Sequence, residues 1–189
     1  MSYLKRILVI ARGILSDPQN TLTQLRSEKT SSALTFILII GAITAFLTPL
    51  QVLAGYEDVN GLHAGGQAEY LARDVSIRFG LGLEFRPFLI EVFYIVILLI
   101  STAYLHIIFK VAGGEGRISD TLRMIAYGDA PALLFGWVPY FATVAAVWAA
   151  VIQLFIGPMV YHKLSWAKAC IVFSLLLGAG IIEIALSEI

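Results

Sequence analysis

Five apolar runs, each close to the length needed to cross a bilayer, dominate this chain. They are Ser32 to Leu53, Pro87 to Val111, Leu122 to Pro139, Phe141 to Tyr161 and Trp166 to Leu186. A helix rises ~1.5 Å per residue and the hydrocarbon core is ~30 Å thick, so about 20 apolar residues suffice to span it. Backbone groups in lipid must be satisfied within the segment, which makes each run a helix. Composition agrees: 59% of the 189 residues are hydrophobic and 14% are charged. Soluble domains carry roughly 45–50% and ~25%. The chain is therefore expected to be an all-α membrane protein with five transmembrane helices over about 32–53, 87–111, 122–139, 141–161 and 166–186. A cytoplasmic N-terminal segment, 1–30, would precede a single transmembrane domain, 31–189. The third and fourth runs together are too long for one crossing, and Pro139 is the natural break between them. Their uncharged turn, Trp137 to Phe141, either reaches the far interface, where Trp and Tyr are favoured, or forms a re-entrant hairpin buried by protein.

Formal net charge is zero, which implies no bulk attraction to nucleic acid. The placement of the charges matters more. Lys5, Arg6, Arg12, Arg26 and Lys29 precede the first run. Lys110, Arg117 and Arg123 join the second to the third, and Lys163 and Lys168 join the fourth to the fifth. The connection 55–86 holds only Arg73, Arg78 and Arg86, beside five acids. Basic loops stay cytoplasmic, so the N-terminus is expected inside, 55–86 outside and the C-terminus outside. From Tyr3 to Leu15, Leu4, Ile7, Leu8, Ala11, Ile14 and Leu15 recur at helical spacing, with Lys5, Arg6 and Arg12 off that face. Too short to span, this helix either lies in the interface or packs on the bundle. Asp17 and Pro18 suit the start of a second short helix. In the outer connection, Leu71, Val75 and Phe79 mark a surface helix over 67–79.

The stretch Ala126-Tyr127-Gly128-Asp129-Ala130-Pro131 is followed by Val138-Pro139, by Trp148, by Gly157 to His162 and by Ser165 to Ala169. Apart from Pro158, which follows Gly157 where an aliphatic residue is usual, this order resembles the Yip1 family of polytopic membrane proteins. The resemblance implies a Yip1-like helical bundle and a membrane-organising or adaptor role. Eukaryotic relatives bind small Rab-type GTPases through their cytoplasmic parts. This chain lacks the long acidic tail of many of them and looks more like a bacterial or archaeal member, in a prokaryotic cell membrane.

Ionisable groups inside a span are costly and are functional candidates by default. Asp129 lies about eight residues into the third run and His106 about five into the second. Counted this way they share a depth to within ~5 Å, so the two are expected to pair, with Tyr127 as a nearby donor. Gln153, mid-span, is expected to hydrogen-bond across helices, and Trp148 to pack. Glu91 and Glu183 are expected at the headgroup layer. Small residues recur as Gly128/Ala132/Gly136, Ala142/Ala146/Ala150 and Cys170/Ser174/Gly178, which suggests that the last three helices approach closely. Gly113-Gly114-Glu115-Gly116 lacks the Lys-Ser/Thr of a phosphate loop and reads as a flexible turn.

H-E-x-x-H, G-x-S-x-G and paired cysteines are absent from the sequence, and His63, His106 and His162 fall in three separate places. No enzyme, metal or cofactor is expected. Two functions stand side by side. One is a binding protein working through its inner face, with Arg117, Arg123, Lys163 and Lys168 as contact residues and a protein partner there. The other is a small oligomeric carrier or channel for protons, ions or lipid, built on Asp129, His106 and Gln153, since broken helices often line substrate sites.

Overall fold

A computed structural model describes residues 3–53, 64–82, 85–138 and 141–187, with side chains described over 5–47, 71–82, 85–138 and 141–179. Pro139, His63 and the Glu183 side chain lie outside the described residues. Among the described residues all regular structure is helical. In order the chain forms α1 (Tyr3–Ser16), α2 (Pro18–Leu25), α3 (Thr30–Leu53), α4 (Ala64–Phe79), α5 (Arg86–Val111), α6 (Ile118–Gly128), α7 (Ala130–Phe135) and α8 (Phe141–Val151). A π-turn (Ile152–Ile156), α9 (Gly157–Tyr161) and α10 (Trp166–Ser187) follow.

Three stretches are long and apolar enough to cross a membrane: Thr30–Leu47, Arg86–Val111 and Phe141–Tyr161. Trp166–Ala179 is a shorter apolar stretch. Their outward faces stay apolar: Phe46, Ile100, Val144 and Leu175 are each 64–68% exposed, as expected of side chains that meet lipid rather than water.

The third apolar run does not form the single helix expected from Leu122. It starts one turn earlier, at Ile118, and divides at Asp129. Pro131 is the cause. It has no N–H for the carbonyl of Tyr127, and its ring crowds that carbonyl. Asp129 closes α6 through its own N–H to the carbonyl of Ile125, at 2.9 Å, and its carbonyl starts α7 by accepting from Leu133, at 3.0 Å. Pro158 acts similarly in the fourth run. Without its N–H the ladder slips by one residue, and the Gly157 N–H reaches Ile152 instead, which is the i→i+5 pattern of a π-turn.

α6 sits at the centre. Met124, Ile125 and Tyr127 are buried against Phe36, Ile37 and Ile40 of α3, Leu105 and Phe109 of α5, and Ile152 and Tyr161. The last three runs are therefore not a self-contained bundle, because α3 and α5 complete the packing around α6. Two of the expected small-residue faces are also shifted. The buried side of α8 is Ala142, Ala145 and Ala149. α10 buries Ala169 and Val172, while Ser174 is exposed and Gly178 faces open space.

The amphipathic reading of α1 holds in its packed form: Ile7, Ile10, Ala11 and Ile14 are buried, while Leu8 and Val9 face out. Asp17 caps α2 by accepting from the Asn20 N–H, and Pro18 takes the first turn. α4 packs on α5 through Ala72 and Ser76; Leu71 and Phe79, expected to define its face, are exposed.

Candidate functional site

The division at Asp129 creates one end of a buried polar junction. The side chain is 4% exposed. Its Oδ2 accepts from the Tyr94 hydroxyl of α5 at 2.6 Å, and its Oδ1 accepts from Nε2 of Gln153 at 3.2 Å. The π-turn carries Gln153, and Gly128 admits it: a Cβ there would lie 2.7 Å from Gln153 Cγ. Three parts of the chain are thus tied at one carboxylate. A carboxylate in a low-dielectric interior is tolerable when each oxygen is hydrogen-bonded. One turn from Tyr94, Glu91 lies against Gly41, midway along α3. Its Oε2 is buried without a hydrogen-bond partner among the described residues. Glu91, half-buried, therefore turns this oxygen inward onto α3. Thr44, also on α3, donates to the carbonyl of Leu133 at 2.6 Å.

His106 does not join this junction. Its Nδ1 lies 2.9 Å from Thr121 Oγ1, and the same hydroxyl lies 2.9 Å from Nε2 of His162. Thr121 is eight residues before Asp129, about 12 Å along α6. The expected His106–Asp129 pair fails because the depths were counted from Leu122 and on the assumption of an unbroken helix. The hydroxyl can donate to one imidazole while accepting from the other. His162 is fully buried. Burial first, then the neighbouring His106, lowers its pKa from 6.5 to about 4, so the ring is neutral near pH 7.

The glycine stretch wraps this imidazole and is not a featureless turn. The Glu115 N–H donates to the His162 carbonyl at 2.9 Å. A Cβ on Gly116 would stand 2.7 Å from His162 Nδ1 and 2.8 Å from the Tyr161 carbonyl. Only a glycine lets the backbone pass so close.

A second hub lies beside it. Arg123 donates to the carbonyls of Arg26, at 2.7 Å, and Glu28, and it pairs with Asp120. Its side chain is 14% exposed, so it braces the α2–α3 connection rather than presenting a contact surface. Arg6 pairs with Glu28. Tyr127 donates to that same carboxylate at 3.1 Å and not to Asp129, since residues two apart do not share a helix face. Of the expected contact residues, Arg117, Lys163 and Lys168 are exposed. Lys163 pairs with Glu115 at 2.7 Å and holds that carboxyl below the usual range.

The chain's sequence matches the family model of the Yip1 domain over residues 12–186. The chain belongs to the Yip1 domain family. No curated protein and no solved structure matches it. Within the Yip1 domain, the quoted pieces fall on the features just described. Tyr127 to Pro131 builds the α6–α7 division, and Gly157 to His162 leads from the π-turn to the buried imidazole. Trp148 is half-buried against the core, as expected. Sequence reasoning missed Tyr94, Thr121 and Glu28. Tyr94 sits within an apolar run whose ionisable residues are Glu91 and His106, and Thr121 in an ordinary first turn, so neither carries a signal of its own.

Proposed function

We propose that this Yip1 domain protein acts by binding rather than by chemistry, as a membrane-organising or adaptor protein without a cofactor. The bundle crosses five times, with the N-terminus inside and the C-terminus outside, in the cell membrane of a prokaryote. A protein partner docks on the inner face, where Arg117, Lys163 and Lys168 stand out around the glycine stretch. A homo-oligomer is compatible with this role, and nucleic acid is not a partner. The observation that carries this reading is Asp129: it is almost wholly buried, and each of its oxygens already accepts a bond from a neighbouring segment. That supports a structural lock in the span and leaves the exposed basic rim as the chemically available feature.

The test is cross-linked capture from native membranes, comparing wild type with Lys163→Ala/Lys168→Ala and with Asp129→Asn. The reading expects a partner that is lost with the basic pair and kept with Asp129→Asn. Capture unaffected by the basic pair would sink it.

A second reading, a small oligomeric proton or cation carrier, draws support from the Oε2 of Glu91, which has no hydrogen-bond partner among the described residues and lies one turn from Tyr94. Reconstituted protein would then pass protons or cations across liposomes, and Glu91→Gln would abolish the flux. Flux indistinguishable from empty liposomes would rule that reading out.

A further inference from the structure

One flank of α1 and the last turn of α7 line an open crevice of about 470 Å³. Its walls are Leu8 and Leu15 from α1 and Leu134 and Phe135 from α7, with Arg12 and Ser16 beside them. Residues 8, 12, 15 and 16 fall on one helical stripe, adjacent to the stripe of Ile7, Ile10 and Ile14 that α1 buries in the bundle. The crevice is therefore the open seam where the amphipathic helix leaves the core.

What fills it follows from its walls. Four apolar side chains offer water no hydrogen bonds, and a water needs two to four polar partners to be held. Hydrocarbon fits this surface. Arg12 fixes the other end of the occupant. Its guanidinium is exposed and has no carboxylate partner among the described residues. The Ser16 hydroxyl donates back to the Arg12 carbonyl at 2.9 Å, so the donors that remain at this rim are those of the guanidinium. A fork of N–H donors above an apolar trough matches a phosphate ester carrying an acyl chain. Such a molecule is abundant wherever a basic amphipathic helix meets a membrane interface.

We infer that the seam between α1 and α7 binds one anionic phospholipid, its acyl chain against Leu8, Leu15, Leu134 and Phe135 and its phosphate on Arg12. This goes beyond the binding role proposed above and does not depend on it, because the seam uses none of the inner-face residues Arg117, Lys163 or Lys168.

The experiment takes the full chain, delipidated in mild detergent, and titrates it with phosphatidylglycerol or phosphatidylcholine of the same acyl length. Retained lipid is counted by native mass spectrometry. Wild type should hold the anionic lipid roughly fivefold more tightly, the factor one basic residue contributes near an anionic surface. Arg12→Gln should erase that preference, and Arg12→Lys, which keeps the charge but not the fork, should keep only part of it. Ser16→Phe should fill the seam and reduce retention of both lipids, while Lys163→Ala should leave both unchanged. Equal retention of the two lipids by wild type would overturn the inference. So would a preference that survives Arg12→Gln or disappears with Lys163→Ala. Displacement of the bound lipid by inorganic phosphate alone would also overturn it, since the site would then recognise a free anion rather than a lipid.

Discussion

Removing the Tyr94 hydroxyl tests the Asp129 junction with the smallest available change. Tyr94→Phe keeps the ring, which is 1% exposed, and deletes only the 2.6 Å bond to Asp129 Oδ2. A hydrogen bond to a charged acceptor contributes about 1.5–3 kcal/mol in water-soluble proteins. In a bilayer, interhelical bonds average ~0.6 kcal/mol and reach ~1.7, because the separated helices find other partners. The short distance and deep burial place this one near the upper end, at about 1–2 kcal/mol. Asp129→Ala should cost more, about 3 kcal/mol, because it leaves the buried Tyr94 hydroxyl and the half-buried Gln153 amide without this partner. Asp129→Asn should stay within about 1 kcal/mol of wild type: its carbonyl still accepts from Tyr94, and Gln153 can turn its own carbonyl to the new amide. The decisive arm is the double-mutant cycle. In the Asp129→Ala background, Tyr94→Phe removes an orphaned hydroxyl, so its effect should fall to zero or become stabilising. Reversible unfolding in bicelles measures all four species. At this chain length each kcal/mol corresponds to roughly 2–4 °C in Tm. Equal destabilisation by Tyr94→Phe in both backgrounds would refute the claim that the two groups share a bond.

Three further outcomes are expected. His162 has a folded pKa of about 4 against 6.5 ordinarily, through burial, then His106, with Lys110 and Arg26 in the same direction and Asp120 opposed. The unfolded chain then takes up its proton first as pH falls; stability should be flat above pH 6.5 and drop by up to about 3 kcal/mol toward pH 4, a slope that His162→Gln flattens in a pH series of unfolding curves. Gly116→Ala should cost about 1–3 kcal/mol, the usual penalty for overpacking, because its methyl would meet the Tyr161 carbonyl and the His162 ring; an unchanged Tm would show that the loop is free of His162. Arg123→Lys should cost about 1–3 kcal/mol, since an ammonium cannot reproduce the fork that reaches Asp120 and two backbone carbonyls, whereas Lys163→Ala, removing an exposed pair with Glu115, should change stability by less than about 1 kcal/mol.

The contrast between Arg123 and Lys163 shows what the sequence could and could not convey. Positive charge beside an apolar run reports which side of the membrane a segment occupies, and both residues satisfied that rule equally. It says nothing about burial, which depends on Arg26 and Glu28 arriving from nearly a hundred residues away. Local features were readable because their causes are local: the face of α1, the Asp17–Pro18 start of α2, and the three stretches long enough to span follow from period, cap chemistry and length. Asp129 was readable as an exception for the same reason, since an acid in an apolar run is costly wherever its neighbours lie. Its partners were not, because depth arithmetic assumes straight helices of known origin. Pro131 ended α6 at Asp129, and Pro158 slipped the fourth helix through a π-turn that holds Gln153. Both prolines were visible in the sequence, but a proline states where a ladder must fail and not how the chain will turn afterwards. The glycine stretch makes the same point in reverse. Residues without side chains looked like freedom, and it takes His162, supplied by a distant segment, to show that their absence of side chains is a packing requirement.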